Sequence, residues 1–235
     1  MYGASETMGA YTLDRRLRPS EGTRTTMGGF RDSRNRIVTP LVAAALLGVL
    51  MTPAVAGKFN AVLKVGQKAP EWSGLLGVDG KRHSLADLKA ARGVLLVFLS
   101  NRCPMTRSYE SRLKALVSGY RKQGLAVVGV SIGQAPADRL AKMIARSALS
   151  KFNFPYCIDL TQELGRRYGA TCTPHAFLLD SRRRVAYMGA IDDNVDPAKV
   201  EHHYLRDAIR SVLAGKQPEV VETLQKGCEI KYVAR

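Results

Sequence analysis

Two apolar runs with an amphipathic segment between them restrict this chain more than any other feature. Val94 to Leu99 holds no polar residue, and Leu125 to Ile132 is interrupted only by Gly129 and Ser131. Runs of that length without polar alternation suit strands buried on both faces of a sheet. Between them Met105, Tyr109, Leu113, Leu116 and Tyr120 recur three or four apart among Arg and Lys, which predicts a helix from Pro104 to about Lys122, ended by Gly124. A helix crossing between two such strands is a parallel βαβ unit, so an α/β fold is expected, with helices flanking a central sheet.

Cys103 sits where the first strand hands over to that helix. Two caps stay open: Ser100, or Cys103 itself with Pro104 at the first helical position. Under either, the sulfur lies in the first turn, where unpartnered N–H groups and the positive end of the helix favour thiolate over thiol. Arg102 and Arg107 are expected to add positive charge. A cysteine so placed is expected to be a redox-active nucleophile.

Upstream lies an export pattern. Residues 1–30 are rich in Gly, Thr, Ser and Arg without apolar period and are expected to be disordered. Arg31, Arg34 and Arg36 then precede an apolar core from Leu41 to Met51 and the small-residue site Ala54-Val55-Ala56, the three regions of a secretory signal. The chain therefore divides into a leader, 1–56, and a domain, 57–235. An exported location follows, periplasmic or extracellular, with membrane contact only if the leader is retained as an anchor.

Downstream, Ser84 is expected to cap a brief helix through Leu88, Pro136 to Leu149 reads as a helix, Phe154 to Ile158 as a strand and Leu160 to Tyr168 as a helix closed by Gly169. Ala176 to Leu179 and Val185 to Met188 form a hairpin through Asp180 to Arg184, and Asp196 caps a last helix, Pro197 to Ala214. The formal charge is +16, with Arg182-Arg183-Arg184 the only tight basic run and no aromatic residues among it. That argues for a solvated basic face and against a nucleic-acid partner. Four cysteines, Cys103, Cys157, Cys172 and Cys228, lack paired metal spacing. Asp192 to Asp196 opens like a calcium loop, but Pro197 stands where glycine is needed, so no metal and no cofactor are expected. His202 and His203, neighbours on the last helix, cannot share an ion; of the lone histidines only His175 is a candidate proton carrier. Cys157, inside an apolar strand, is expected to be core.

Several segments together resemble the redoxin, peroxiredoxin-like branch of the thioredoxin superfamily. They are Val65-Gly-Gln-Lys-Ala-Pro70, Asn101-Arg-Cys-Pro104, Phe154-Pro155, Tyr168-Gly-Ala-Thr-Cys-Thr-Pro174, Phe177-Leu-Leu-Asp180 and Gly227-Cys-Glu-Ile-Lys-Tyr232. The resemblance implies a thioredoxin-like fold with a central mixed β-sheet, Cys103 at the redox position, and Pro174 as a cis-proline facing it. Ser100 stands where relatives carry the first cysteine of a CxxC pair, so dithiol exchange within that motif is closed to this chain. The expected activity is thiol oxidoreduction on a peroxide or a protein disulfide, with an external thiol as reductant and Ser100 donating a hydrogen bond to the Cys103 thiolate. Cys172, brought near by the proline turn, is expected to resolve oxidised Cys103 ahead of Cys228, which lies in a tail. A contrasting reading keeps the same fold as a non-enzymatic binding domain that has lost its dithiol.

Overall fold

The computed structural model describes residues 57–234; the disordered leader and signal segment expected over residues 1–56 lie outside them. In chain order the elements are β1 (Leu75–Gly77), β2 (Arg82–His83), β3 (Gly93–Leu99), α1 (Pro104–Tyr120), β4 (Leu125–Ser131), α2 (Leu140–Ser150) and β5 (Tyr156–Ile158). They continue with α3 (Glu163–Tyr168), β6 (Cys172–Thr173), β7 (His175–Leu179), β8 (Val185–Gly189), α4 (Tyr204–Leu213) and β9 (Cys228–Glu229).

Seven strands form one sheet in the order β2-β1-β5-β4-β3-β7-β8. The central pairs β3–β4 and β4–β5 run parallel, while β3–β7, β7–β8, β1–β5 and β1–β2 run antiparallel. The sheet is thus mixed, and its centre is the βαβ unit that the two apolar runs predict. Alternate side chains of β3 enter different cores: Leu95, Val97 and Leu99 pack with α1 and α4 residues such as Leu113 and Ile209, and Val94, Leu96 and Phe98 pack with Trp72, Leu164 and Tyr168. Burial on both faces is why β3 carries no polar residue, since each such side chain contributes about 1.5–3 kcal/mol when removed from water.

Two predicted helices are broken. Pro136 to Asp138 forms only a 3-10 turn and Arg139 is extended before α2 begins. The turn is pinned because the buried Asp138 carboxylate is drawn to the loop after β3. The helix predicted over Pro197 to Ala214 is likewise a 3-10 turn, Pro197–Lys199, followed by extended chain and then α4. Here Asp193 donates its N–H to the His202 carbonyl at 3.3 Å and accepts the Glu201 N–H at 3.1 Å, which holds that segment out of helix. His202 and His203 therefore precede α4 instead of lying on a helix.

The basic run is spent on the β7–β8 hairpin. Asp180 Oδ1 accepts the N–H groups of Arg182 and Arg184 at 2.8 Å each, and Arg183 takes a positive φ of 60°. The Arg183 guanidinium donates to the carbonyls of Ala91 and Leu88, and Arg184 donates to Gly66.

After α4 the chain returns across the sheet edge and is tied down along its length. Met188 and the segment Val221 to Thr223 exchange hydrogen bonds of 3.1 Å, and the Tyr187 hydroxyl meets Thr223 Oγ1 at 2.8 Å. Then β9 pairs antiparallel with β6, and Ile230 N–H reaches the Thr171 carbonyl at 2.9 Å. Val233 N–H donates to Gln162 Oε1 and the Tyr232 hydroxyl to the Ala170 carbonyl. The tail that carries Cys228 is thus anchored, through β9 and the hydrogen bonds on either side of it.

Candidate active site

Cys103 is the N-cap of α1, with extended backbone (φ −76°, ψ 117°) and Pro104 at the first helical position. This decides the open assignment between Ser100 and Cys103. The cap works through sulfur: Cys103 Sγ accepts the Thr106 N–H at 3.4 Å, so one orphan donor of the helix end points at the reactive atom. From the other side the thiol donates to the Thr173 carbonyl at 3.0 Å. Thr173 precedes Pro174 through a cis peptide, so the proline turn implied by the resemblance faces the helix start.

Burial by itself raises the Cys103 thiol. Side-chain hydrogen bonding from Cys228 and Thr173 and the N–H groups of Thr106 and Cys228 outweigh it, and Cys103 titrates below an ordinary thiol. These contacts replace the expected role of Arg107, whose guanidinium is turned onto the Asn101 carbonyl at 3.3 and 3.1 Å.

Ser100 is not aimed at the sulfur. Its hydroxyl donates to Asp138 Oδ2 at 3.1 Å and accepts the Arg102 N–H at 3.2 Å, while Asn101 N–H donates to Asp138 Oδ1 at 2.6 Å. With its one proton committed to a carboxylate, Ser100 shapes the loop and does not supply the hydrogen bond to Cys103 that its sequence position led us to expect. Asp138 and Thr106 are the residues that pattern reading missed. Asp138 lies within the segment Pro136 to Leu149 that reads as a helix, and only its contact with the distant Ser100 loop reveals its part.

The remaining cysteines differ sharply. Cys157 is fully buried in β5 and burial pushes its thiol up to about 12. Cys172 is raised to about 12, by burial first and then by the charge at Cys103. Its thiol leans toward the Pro174 carbonyl at 3.8 Å. Cys228 stands in register with Thr173 across the β6–β9 pair, whereas Cys172 stands opposite Glu229. Side chains alternate along a strand and directly opposed residues share a face, so Cys228 lies on the Thr173 side and Cys172 on the reverse. The order expected from sequence, Cys172 before Cys228, is therefore inverted in the geometry. The sequence-based reason for favouring Cys172, nearness in sequence to the proline turn, took no account of which face it points from.

His175 also departs from its expected role. It is 1 % exposed, its Nδ1 accepts the Thr171 N–H at 3.4 Å, and its ring lies 4.4 Å from that of Phe177. Burial drags its pKa down to about 3, so it stays neutral and carries no proton to the site. The acidic stretch is structural: Asp192 takes the Tyr109 hydroxyl at 2.9 Å and the Arg112 guanidinium at 2.5 Å, and Asp196 caps Ala198.

A cleft of about 510 Å³ opens over Cys103. Cys103, Thr173 and Cys228 line it together, with Ile132 and Ile230 as apolar wall and Arg102 and Lys231 as basic groups. The arrangement presents a thiol whose ionisation is favoured at a partly apolar cleft, which suits attack on an electrophilic sulfur.

Residues 65–188 match the AhpC/TSA family. The thiol-disulfide oxidoreductase ResA of Geobacillus thermodenitrificans is 29 % identical over 150 residues, 64 % of this chain and 82 % of that protein. A hypothetical protein of Sinorhizobium meliloti has a crystal structure similar at a TM-score of 0.69 and 34 % identity, over 74 % of this chain and 97 % of that one. An uncharacterized conserved protein of Geobacillus kaustophilus is similar at 0.67 and 28 %, over 75 % and 96 %.

Proposed function

The chain belongs to the AhpC/TSA family, in the redoxin branch of the thioredoxin superfamily, and from that premise we propose that it is an exported thiol-disulfide oxidoreductase acting through Cys103. The observation that carries this reading is the sulfur of Cys103 serving as the cap of α1, with its thiol lowered by the hydrogen bonds around it. Support for disulfides as substrates comes from the ResA relative, whose name states that activity.

In the reaction the Cys103 thiolate attacks one sulfur of a substrate disulfide. A Cys103–substrate S–S bond forms, the substrate S–S bond breaks, and the second substrate sulfur leaves as thiolate and takes a proton from solvent. The apolar wall of Ile132 and Ile230, rimmed by Arg102, Lys231 and Glu229, suits a polypeptide segment. An external dithiol returns the protein to its reduced state.

Turnover of insulin disulfides by the full chain tests this. Repeated turnover is expected only with an external dithiol present and is expected to vanish in Cys103→Ser. Consumption of hydrogen peroxide without disulfide reduction would move the protein to the peroxidase side of its family, and neither activity would leave a binding domain. Export rests on the Arg31 to Ala56 pattern, and N-terminal sequencing of the protein from an exporting cell is expected to begin at Gly57.

A further inference from the structure

An oxidoreductase that keeps one cysteine of the usual pair needs another way to release a mixed disulfide, or the substrate stays attached. Ser100 cannot do this, and its hydroxyl is bound to Asp138. Cys157 is enclosed in β5. Cys172 faces away from the cleft and is held toward Pro174.

Cys228 meets every requirement that these three fail. It is half-buried and lines the same cleft as Cys103, near enough that each thiol shifts the other's titration. Its position is built and not incidental. The β6–β9 pair sets Cys228 opposite Thr173, the residue whose carbonyl receives the Cys103 thiol at 3.0 Å. Gly227 lets the strand come that close, because a Cβ there would fall 2.3 Å from the Thr173 oxygen. Ile230 and Val233 hold the other end. Cys228 shares the cleft with Cys103 and Pro104, so both cysteines gather at the start of α1.

We propose that Cys103 and Cys228 are the working dithiol of this protein, a pair drawn from the start of α1 and the C-terminal strand β9 in place of a CxxC motif. The proposal rests on Cys103 being the nucleophile in disulfide exchange. Once Cys103 carries a substrate sulfur, Cys228 loses its proton and attacks Cys103 Sγ. The Cys103–Cys228 bond forms, the Cys103–substrate bond breaks, and the released substrate thiolate takes up the proton. In total a substrate disulfide gains two electrons and two protons, the protein dithiol becomes a disulfide, and an external dithiol reverses the change in the protein. Geometry divides the labour: Cys103 attacks first because its sulfur caps α1 and takes the Thr106 N–H at 3.4 Å, and Cys228 follows from β9; the directions of titration, Cys103 lowered and Cys228 raised by burial and by Cys103, agree with that order.

The test is to treat the reduced full chain with one equivalent of oxidised glutathione, quench with acid, and determine intact mass and linkage. Wild type is expected to lose two hydrogen atoms and to show a Cys103–Cys228 linkage without retained glutathione. Cys228→Ala is expected to retain one glutathione per chain on Cys103, and its thiolate absorbance is expected to titrate at higher pH. Cys103→Ala is expected to take up no glutathione at Cys228. Wild type that keeps glutathione on Cys103, or links Cys103 to Cys172, would overturn the pair while leaving Cys103 as nucleophile. A wild type that keeps all its thiols, together with a Cys228→Ala chain that takes up no glutathione, would overturn the pair together with the activity it rests on.

Discussion

Gly227 approaches Thr173 so closely that a Cβ on it would lie 2.3 Å from the Thr173 carbonyl oxygen and 2.7 Å from its carbonyl carbon. Both atoms are backbone and cannot swing aside, so Gly227→Ala is expected to push β9 off β6 and carry Cys228 away from Cys103. Overpacking of this kind costs about 1–3 kcal/mol, which a domain with this sheet should survive. The expected outcome is an unchanged far-ultraviolet spectrum with slower formation of the Cys103–Cys228 bridge, followed by timed alkylation and mass analysis.

Asp138 holds the loop before the reactive cysteine. It is 2 % exposed and accepts from Asn101 N–H at 2.6 Å and from the Ser100 hydroxyl at 3.1 Å. In Asp138→Ala both donors lose their partner, at a cost of about 1–3 kcal/mol for each buried group left unmade. Urea unfolding should show that loss. Ser100→Ala is expected to cost only about 1 kcal/mol and to leave the Cys103 titration where it is, because that hydroxyl faces the carboxylate.

The central fold was legible because two near-continuous apolar runs and a change of period need no tertiary information. Cys103 was legible for the same reason, since a strand-to-helix junction is a local event. What pattern could not show was direction across space. Ser100 looked like a thiolate donor until Asp138, thirty-eight positions away, claimed its proton. Cys172 looked nearer than Cys228 because sequence distance to Pro174 is visible and the facing of a two-residue strand is not. The helices predicted from Pro136 and Pro197 stopped early where Asp138 and Asp193 bind backbone or side chains outside their own turn, and propensity alone carries no sign of such partners.

Acid should weaken the fold through His175. Its imidazole is buried neutral with a pKa of about 3 against an ordinary value of 6.5. The unfolded chain binds a proton as pH falls below 6.5 and the folded chain does not until about 3, so stability is lost across that window as pH drops. The slope from this group approaches about 1.4 kcal/mol per pH unit. A urea series across the window is expected to show it, and His175→Gln, which has no group titrating there, is expected to lose that part of the slope.

Disulfide exchange by this chain requires Cys103 to ionise where neighbouring thiols do not. Thiolate absorbance of the reduced chain, titrated against pH and differenced against Cys103→Ser, measures this directly. A midpoint clearly below the free-thiol value of about 8.5 is the predicted result. A midpoint at or above that value would contradict the account, and the chain would then be a thioredoxin-fold binding domain with an ordinary buried cysteine at its helix cap.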